Sequence, residues 1–438
     1  MKRVLMVVML SLLVVSGLVV AQEKTEIILW HAMSGTRELQ IQRMVDDFNL
    51  INPSINVTVE YKGSYRDTLT AAQAAAIAGT GPHVLHSFEV GTQQNVDMGI
   101  YAIAEDLIDR FGIVIPWDDY LAPALNYYKL DGKQASFPWN SSNSILYYNK
   151  TLLDAAGVTM PREPSFEDIV AIGQAVMSAG VAEAGITWPT HSWFFEQWMA
   201  ELGADLVNND NGRSGYATEI NLDGVEAATI MNWWKELYDK GIWANPGREN
   251  WSQARQNFTT QRVAMLISST SDVNLTENAA FAGGWEVGTA FMPVPLGFER
   301  HGVVIGGGSL WVIADHPDAE LKAATELVVY LSQVSQDIDW HQSTGYFALR
   351  NTSLLALQQE GWYDLHPNYK TASDQLAESQ LITATQGALA GVFPEIRTYI
   401  VDAAEEVYAG GSVSEALMKA KALIDQALVD YKELMTGS

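Results

Sequence analysis

Hydrophobic and polar positions along the chain alternate between two periods. Residues 27–30 form a short apolar run that predicts a buried strand, and Ile41, Val45 and Phe48 then recur at helical spacing. From Ile55 to Tyr61, apolar residues occupy every second position, as they do in a half-exposed strand. Strands that alternate with helices predict α/β layers with a mainly parallel sheet.

The same alternation continues through the rest of the chain. Ser165 and Asp168 have the spacing of a capping box, which predicts a helix that ends near Gly180. No repeat of solenoid length and no long linker interrupts the pattern, and the chain is too long for one hydrophobic core. We therefore expect two closely joined domains. Further strands are predicted at 84–88, 144–148, 263–267 and 310–313, and further helices at 71–78, 223–239, 317–332 and from 394 onward.

The amino terminus has the three parts of a secretory signal peptide. Lys2 and Arg3 precede an apolar run over residues 4–20, and small residues lead up to Ala21. We predict cleavage after Ala21, because the run is marginal for crossing a bilayer and its exit suits a signal peptidase. No second run of this kind follows, so the mature protein is expected to be soluble and exported.

The amino-acid composition limits the compartments and the partners that we expect for this protein. The chain contains no cysteine, which excludes disulfides, thiolate metal sites and a lipid-modified amino-terminal cysteine. An exported protein without a lipid anchor suits a periplasm. The 52 acidic residues outnumber the 26 basic ones, so the surface repels nucleic acid and anionic lipid. We expect neither as a partner.

Known catalytic signatures are missing from the sequence. There is no phosphate-loop, HExxH or GxSxG motif and no clear dinucleotide fingerprint, and the eight histidines lack metal-ligand spacing. We therefore predict a protein without catalytic activity, metal or cofactor. A pair of carboxylates for glycoside hydrolysis stays open, so a periplasmic glycosidase or phosphodiesterase is retained as an alternative.

Polar and aromatic residues near the carboxyl ends of predicted strands are candidates for a ligand site, since ligands of open α/β sheets bind there. Each residue taken alone also has a structural explanation, such as a helix N-cap or a surface ion pair. The candidates are Tyr65, Glu89, Ser142, Thr270, Gly307, Tyr346 and Arg397.

Blocks of residues around these candidates carry a family resemblance. Those at 61–65, 89–92 and 394–397 are the most specific, and further blocks lie at 30–33, 139–142, 146–150, 305–312 and 340–346. In this order they resemble the periplasmic glycerophosphate-binding branch of extracellular solute-binding protein family 1. The resemblance spans nearly the whole mature chain.

The resemblance implies a two-lobed periplasmic binding protein of type II, with ligand contacts at six of the candidates. The family serine in the hydroxyl cluster falls on Thr270, with Ser269 and Ser271 as possible substitutes. A ligand-facing tryptophan of the family falls on Trp188 or Trp193. The six implied contacts are Tyr65, Glu89, Ser142, Gly307, Tyr346 and Arg397.

The implied role is that of the solute-binding component of an ABC importer. Such a protein captures sn-glycerol 3-phosphate or a glycerophosphodiester and delivers it to membrane permease subunits, most simply as a monomer. The planar fork of Arg397 suits phosphate oxygens, and Glu89 is expected to accept ligand hydroxyls while facing away from the phosphate. A neutral sugar or polyol is the alternative ligand.

Discontinuous lobes joined by a hinge follow from the resemblance and the predicted strands. The chain is expected to cross near Ser142, to return near Met292 and to cross again near Ser332. The predicted organisation is a signal peptide at 1–21, lobe 1 at 22–141 plus 292–332, and lobe 2 at 142–291 plus 333–438.

Overall fold

The computed structural model of the protein describes residues 24–437, so the predicted signal peptide lies outside the described residues. The strands of this part are β1 (Thr25–His31), β2 (Ile55–Tyr61), β3 (Val84–Phe88), β4 (Tyr101–Ala102), β5 (Lys129–Leu130), β6 (Lys133–Gln134), β7 (Phe137–Ser142), β8 (Ser144–Asn149), β9 (Ala184–Thr187), β10 (Val263–Ser269), β11 (Val287–Ala290) and β12 (Gly306–Ile313).

The helices surround these strands and fill most of the carboxyl-terminal third. They are α1 (Thr36–Ile51), α2 (Tyr65–Ala78), α3 (Thr92–Met98), α4 (Ala104–Phe111), α5 (Ala122–Tyr127), α6 (Lys150–Ala155), α7 (Phe166–Ser178), α8 (Ser192–Glu201), α9 (Asn208–Gly212, a turn of left-handed backbone), α10 (Val225–Asp239), α11 (Trp251–Thr259), α12 (Val273–Gly283), α13 (Asp318–Leu331), α14 (Val334–Thr344), α15 (Asn351–Gln359), α16 (Trp362–Leu365), α17 (Pro367–Ala377), α18 (Thr383–Gln386), α19 (Phe393–Tyr408) and α20 (Val413–Thr436).

Local sequence signals account for several element ends. The predicted capping box at α7 is present. The Ser165 side chain accepts a hydrogen bond from the Asp168 backbone N–H, and the Asp168 carboxylate accepts one from the Ser165 backbone N–H. Ser64 and Asp67 form a second capping box at α2, which ends at Gly79 in the left-handed conformation. Turn chemistry of this kind needs only neighbouring residues and is therefore readable from the sequence.

Two mixed sheets organise the fold. The larger has the order β2-β1-β3-β12-β4 with β7 also paired to β12, and the smaller has the order β11-β8-β10-β9. β1 is parallel to β2 and β3, but β12 is antiparallel to all three of its partners. The expectation of mainly parallel sheets was wrong. The chain reaches β12 from the smaller sheet, and β12 runs opposite to the strands that it joins in the larger one. The alternation of strands and helices along the chain does not determine the direction of a strand within its sheet.

The two sheets define two lobes, which we call lobe 1 (six strands) and lobe 2 (four strands). The chain passes from lobe 1 to lobe 2 at Asn143, between β7 and β8, and it returns between β11 and β12. Beyond α13, α14 still lies against α1, where the Gln40 amide donates to Asp339 at 2.6 Å. The boundaries assigned from the sequence, 141/142, 291/292 and 332/333, stay predictions.

Aromatic packing forms much of the interior of lobe 2. The Phe166 ring stacks on Trp233 at 3.9 Å, and Trp188 stacks on Trp243 at 4.3 Å. Such pairs bury large areas and hold α7, α8 and α10 against the sheet. Among the helices of residues 24–437, none has the length and the apolar character that crossing a bilayer requires.

Candidate ligand-binding site

A cavity of about 320 Å³ lies between the two lobes. It is at the small end of the range for small-molecule sites. Residues of lobe 1 supply one wall, including Met33, Arg37, Tyr65, Phe88 and Glu89. Residues around lobe 2 supply the other, including His191, Trp193, Trp251, Arg255, Ser269, Ser271 and Arg397.

Strand ends position much of this lining. Glu89 directly follows β3, Ser142 is the last residue of β7, and Ser269 is the last residue of β10. Gly307 lies at the start of the antiparallel strand β12, so it reaches the same edge of the sheet. The predicted placement of a ligand site at strand ends therefore matches the position of the cavity.

Six of the seven predicted site residues line the cavity, and Thr270 does not. Thr270 is buried, and its hydroxyl has no hydrogen-bond partner among residues 24–437. Its neighbours Ser269 and Ser271 line the cavity instead. β10 ends at Ser269 and residues 270–272 form a 3₁₀ turn, which buries the Thr270 side chain while its two neighbours line the cavity.

Arg397 joins two carboxylates at one end of the cavity. Its Nε and Nη2 donate to Glu196 at 2.8 Å each, and Nη2 also donates to Glu89 at 2.8 Å. All three side chains are buried. Glu89 belongs to lobe 1, whereas Glu196 on α8 and Arg397 on α19 belong to lobe 2, so this cluster bridges the cleft.

Burial and pairing compete within this cluster. Burial opposes the charged form of Arg397, but the adjacent Glu196 and Glu89 outweigh it and raise the arginine pKa. Burial raises the pKa of Glu89, and Arg397 partly offsets that effect. Two carboxylates and one guanidinium leave this end of the cavity with a net charge of about −1 when all are ionised.

This geometry corrects the role expected for Arg397. Two of its three guanidinium nitrogens already donate to carboxylates, so the arginine does not present an open fork to a phosphate. Glu89 also lies beside the arginine instead of facing away from it. Paired carboxylate acceptors and guanidinium donors suit ligand hydroxyls, which both donate and accept.

A hydrogen-bond chain orients the hydroxyl of Tyr65. The Ala32 N–H donates to Nδ1 of His86 at 3.5 Å, and Nε2 of His86 lies 2.6 Å from the side-chain oxygen Oδ1 of Asn140. The Asn140 amide then donates to the Tyr65 oxygen at 2.8 Å. Burial lowers the pKa of His86 to about 3, so the ring is neutral and its one proton lies on Nε2. The Tyr65 hydroxyl hydrogen is thereby left to donate to the hydroxyl of Tyr346, which also lines the cavity.

The structure also separates the two tryptophan candidates. Trp193 lines the cavity, and its indole N–H has no partner among the described residues. Trp188 is fully buried in the aromatic interior of lobe 2. Nδ1 of the adjacent His191 accepts the backbone N–H of Trp193 at 3.0 Å, and burial lowers the pKa of His191 to about 3. The neutral ring therefore offers an Nε2–H donor.

Sequence reasoning missed three prominent cavity residues. Arg37 lies on α1, and Trp251 and Arg255 lie on α11. None of them stands at the end of a predicted strand, and none belongs to a block that carried the resemblance. Only the approach of the two lobes brings these helix residues to one cavity.

Two histidines that are distant in sequence, His83 before β3 and His316 after β12, meet at the strand ends of the larger sheet that lie away from the cavity. Nε2 of His83 and Nδ1 of His316 lie 3.1 and 3.2 Å from one Glu320 oxygen. Nδ1 of His83 accepts the Ile28 N–H at 3.0 Å, so the neutral ring carries its proton on Nε2. That nitrogen offers no lone pair to a metal ion, and the group is a hydrogen-bonded cluster.

Comparison with known proteins identifies a family and relatives of this chain. A profile of the bacterial extracellular solute-binding protein family matches residues 43–371. The sn-glycerol-3-phosphate-binding periplasmic protein of Escherichia coli K12 is 26% identical over 396 residues, with 89% of each protein covered. The protein of the same name from Rhizobium meliloti is 26% identical over 394 residues, covering 89% of this chain and 90% of the relative.

Solved structures share the fold. The GacH receptor of Streptomyces glaucescens, solved unliganded and with acarbose, has a TM-score of 0.78 at 18% identity, covering 93% of this chain and 99% of that chain. UgpB of Mycobacterium tuberculosis in complex with glycerophosphocholine has a TM-score of 0.77 at 17% identity, with the same coverage of 93% and 99%. The two-lobed fold predicted from the sequence is confirmed, and the chain belongs to the bacterial extracellular solute-binding protein family.

Proposed function

We propose that this protein is the extracytoplasmic solute-binding component of an ABC importer for sn-glycerol 3-phosphate or a glycerophosphodiester. The names of its curated relatives, which match across most of the chain, support this ligand class. The bound ligand is delivered to permease subunits in the inner membrane. The protein works in the periplasm as a monomer, after export through the segment at 1–21, and it catalyses no reaction.

The observation that carries this function is a polar cavity whose walls come from both lobes and meet through Glu89 and Arg397. A ligand in such a cavity touches both lobes only when they are closed. It therefore stabilises the closed state through contacts that the open state lacks. Closure also removes water, which strengthens each polar contact.

Each cavity residue has a role that follows from its chemistry. Glu89 accepts hydrogen bonds from glycerol hydroxyls, and Nη1 of Arg397, which has no acceptor among residues 24–437, donates to a ligand oxygen. Ser142 donates through its hydroxyl, and backbone at Gly307 approaches the ligand closely because no side chain intervenes. Tyr65 and Tyr346 combine a ring face with a hydroxyl.

A neutral sugar or polyol is the second candidate ligand. It is favoured by the carboxylate–arginine cluster beside Trp193, because sugars are bound through hydroxyl hydrogen bonds and aromatic contact. A charged group is not needed for such recognition. Both candidate ligands have hydroxyls for this cluster, and they differ in whether the rest of the ligand carries a phosphate.

Titration calorimetry of the purified mature protein with sn-glycerol 3-phosphate, glycerophosphocholine and maltose tests the function. Binding of one or both phosphate esters, with the ligand recovered unchanged after prolonged incubation, is the expected result. Maltose binding without phosphate-ester binding would replace the ligand class while keeping the carrier. Release of hydrolysis products would instead favour the enzyme alternative.

A further inference from the structure

Two arginines that no family block predicted line the cavity and surround one buried carboxylate, Asp272, behind its wall. Nε of Arg255 donates to Asp272 at 2.8 Å, and Nη2 of Arg37 donates to the Ser271 carbonyl at 2.9 Å while lying 3.8 Å from Asp272. The Asp272 side chain is 2% exposed, and each arginine side chain is 28% exposed. Two guanidinium groups against one carboxylate leave a net charge of about +1.

The unused donors of these arginines define a binding position. Within residues 24–437, Nε and Nη1 of Arg37 and both Nη atoms of Arg255 have no hydrogen-bond acceptor. Both side chains line the cavity, together with Ser269 and Ser271. Aromatic rings restrain them, since Arg37 lies 5.4 Å from the Tyr346 ring centre and Arg255 lies 5.8 Å from that of Trp251.

The cavity therefore carries two charge clusters of opposite sign. Arg397 is paired with Glu89 and Glu196, and no ion pair among the described residues joins this group to the one around Asp272. The whole chain has a net charge of −26, so an anionic ligand needs a local cationic site to be held. The arginines around Asp272 provide that charge, whereas the cluster at Arg397 is acidic overall.

We infer that Arg37 and Arg255 bind the phosphate of the ligand, while the cluster of Glu89, Arg397 and Glu196 binds its hydroxyls. This inference rests on the proposed function and gives the ligand a direction in the cavity. Arg37 comes from lobe 1 and Arg255 from lobe 2. A phosphate between them contacts both lobes at once, so the same contacts that select the anion also stabilise closure.

The test is calorimetry of Arg37→Gln and Arg255→Gln with sn-glycerol 3-phosphate and glycerophosphocholine. Each variant is expected to weaken binding of the phosphate monoester about tenfold or more, a typical effect of removing a charge-assisted contact. The loss should be larger for the monoester than for the diester, which carries one negative charge fewer. A purely structural effect would weaken both ligands equally and would overturn the inference.

Matched controls exist on the same helix and on the adjoining strand. Arg43→Gln on α1 and Arg262→Gln next to β10 remove arginines that pair with surface carboxylates. These variants should keep affinity within about twofold. If Arg255→Gln does not fold because Asp272 loses the nearer of its two arginines, Arg255→Gln/Asp272→Asn removes both charges and is measured instead.

The outcomes separate the two levels of the proposal. A wild-type protein that binds neither phosphate ester overturns the proposed function and this inference with it. A wild-type protein that binds the monoester, with both variants within about threefold of it, overturns the inference alone.

Discussion

Nη2 of Arg397 in lobe 2 lies 2.8 Å from Oε1 of Glu89 in lobe 1, and the same nitrogen lies 2.8 Å from Glu196. The guanidinium thus pairs with buried carboxylates on both sides of the cleft. Separation of the lobes must break the contact to Glu89 and expose both charges to water. The pair therefore links the electrostatics of the cavity to its opening.

Arg397→Met should lower the free energy of unfolding by about 3 kcal/mol, because Glu89 and Glu196 are left buried without a cationic partner. Urea denaturation measures this loss. Adding Glu196→Gln to Arg397→Met should recover part of it, since a neutral amide costs less to bury. Unchanged stability of Arg397→Met would show that the cluster is not a buried ion pair.

Asp97 in lobe 1 also joins the lobes, outside the cavity. Its two oxygens accept from the hydroxyls of Tyr216 at 2.8 Å and Tyr431 at 2.7 Å, both in lobe 2. Asp97→Ala should favour the open state, raise the radius of gyration of the ligand-free protein in X-ray scattering, and weaken ligand affinity about three- to tenfold.

Asp46→Ala is the matched control for that substitution, because within residues 24–437 Asp46 on α1 accepts only from Gln42 of the same helix. It should alter neither scattering nor affinity. Identical scattering and affinity for Asp97→Ala and wild type would remove Asp97 from the closure mechanism.

Gly307→Ala should lower the free energy of unfolding by on the order of 3 kcal/mol or more. The backbone φ at Gly307 is +102°, and an added Cβ would lie 1.9 Å from the Asn140 carbonyl oxygen. Gly79 is the control, since its φ is +66° and an added Cβ meets nothing within 4 Å. Gly79→Ala should cost about 1–2 kcal/mol. Equal costs for the two variants in urea denaturation would contradict the close approach.

Glu201 should make stability depend on pH near neutrality. Burial raises its pKa from an ordinary value of 4.5 to about 7, against the opposing effect of Arg300. The folded state then holds a proton that the unfolded state releases. This contribution to stability is complete below pH 4.5 and is lost as the pH rises through about 7.

Glu201→Gln removes that titration. The difference in unfolding free energy between wild type and Glu201→Gln should therefore shift against wild type between about pH 4.5 and about pH 7. Urea denaturation across this range measures the difference. Parallel curves for the two proteins would mean that Glu201 titrates normally.

Local signals in the sequence predicted local structure well. The capping box of Ser165 and Asp168, the alternation over β2 and the helix after Pro317 are all present in the structure. Each depends on residues a few positions apart, whose backbone geometry neighbouring side chains dictate. The blocks that carried the family resemblance also contain the six candidates that line the cavity.

Pairings between distant residues were decided by the tertiary structure alone. Glu196 on Arg397, Asp272 between Arg37 and Arg255, and His316 against His83 join residues that no local pattern connects. The direction of β12 and the burial of the Thr270 side chain likewise depend on tertiary packing. The sequence by itself determined the elements and the family of this protein. Which charged residues meet at the cavity depends on the tertiary structure, because the two lobes that bring them together are built from separated segments of the chain.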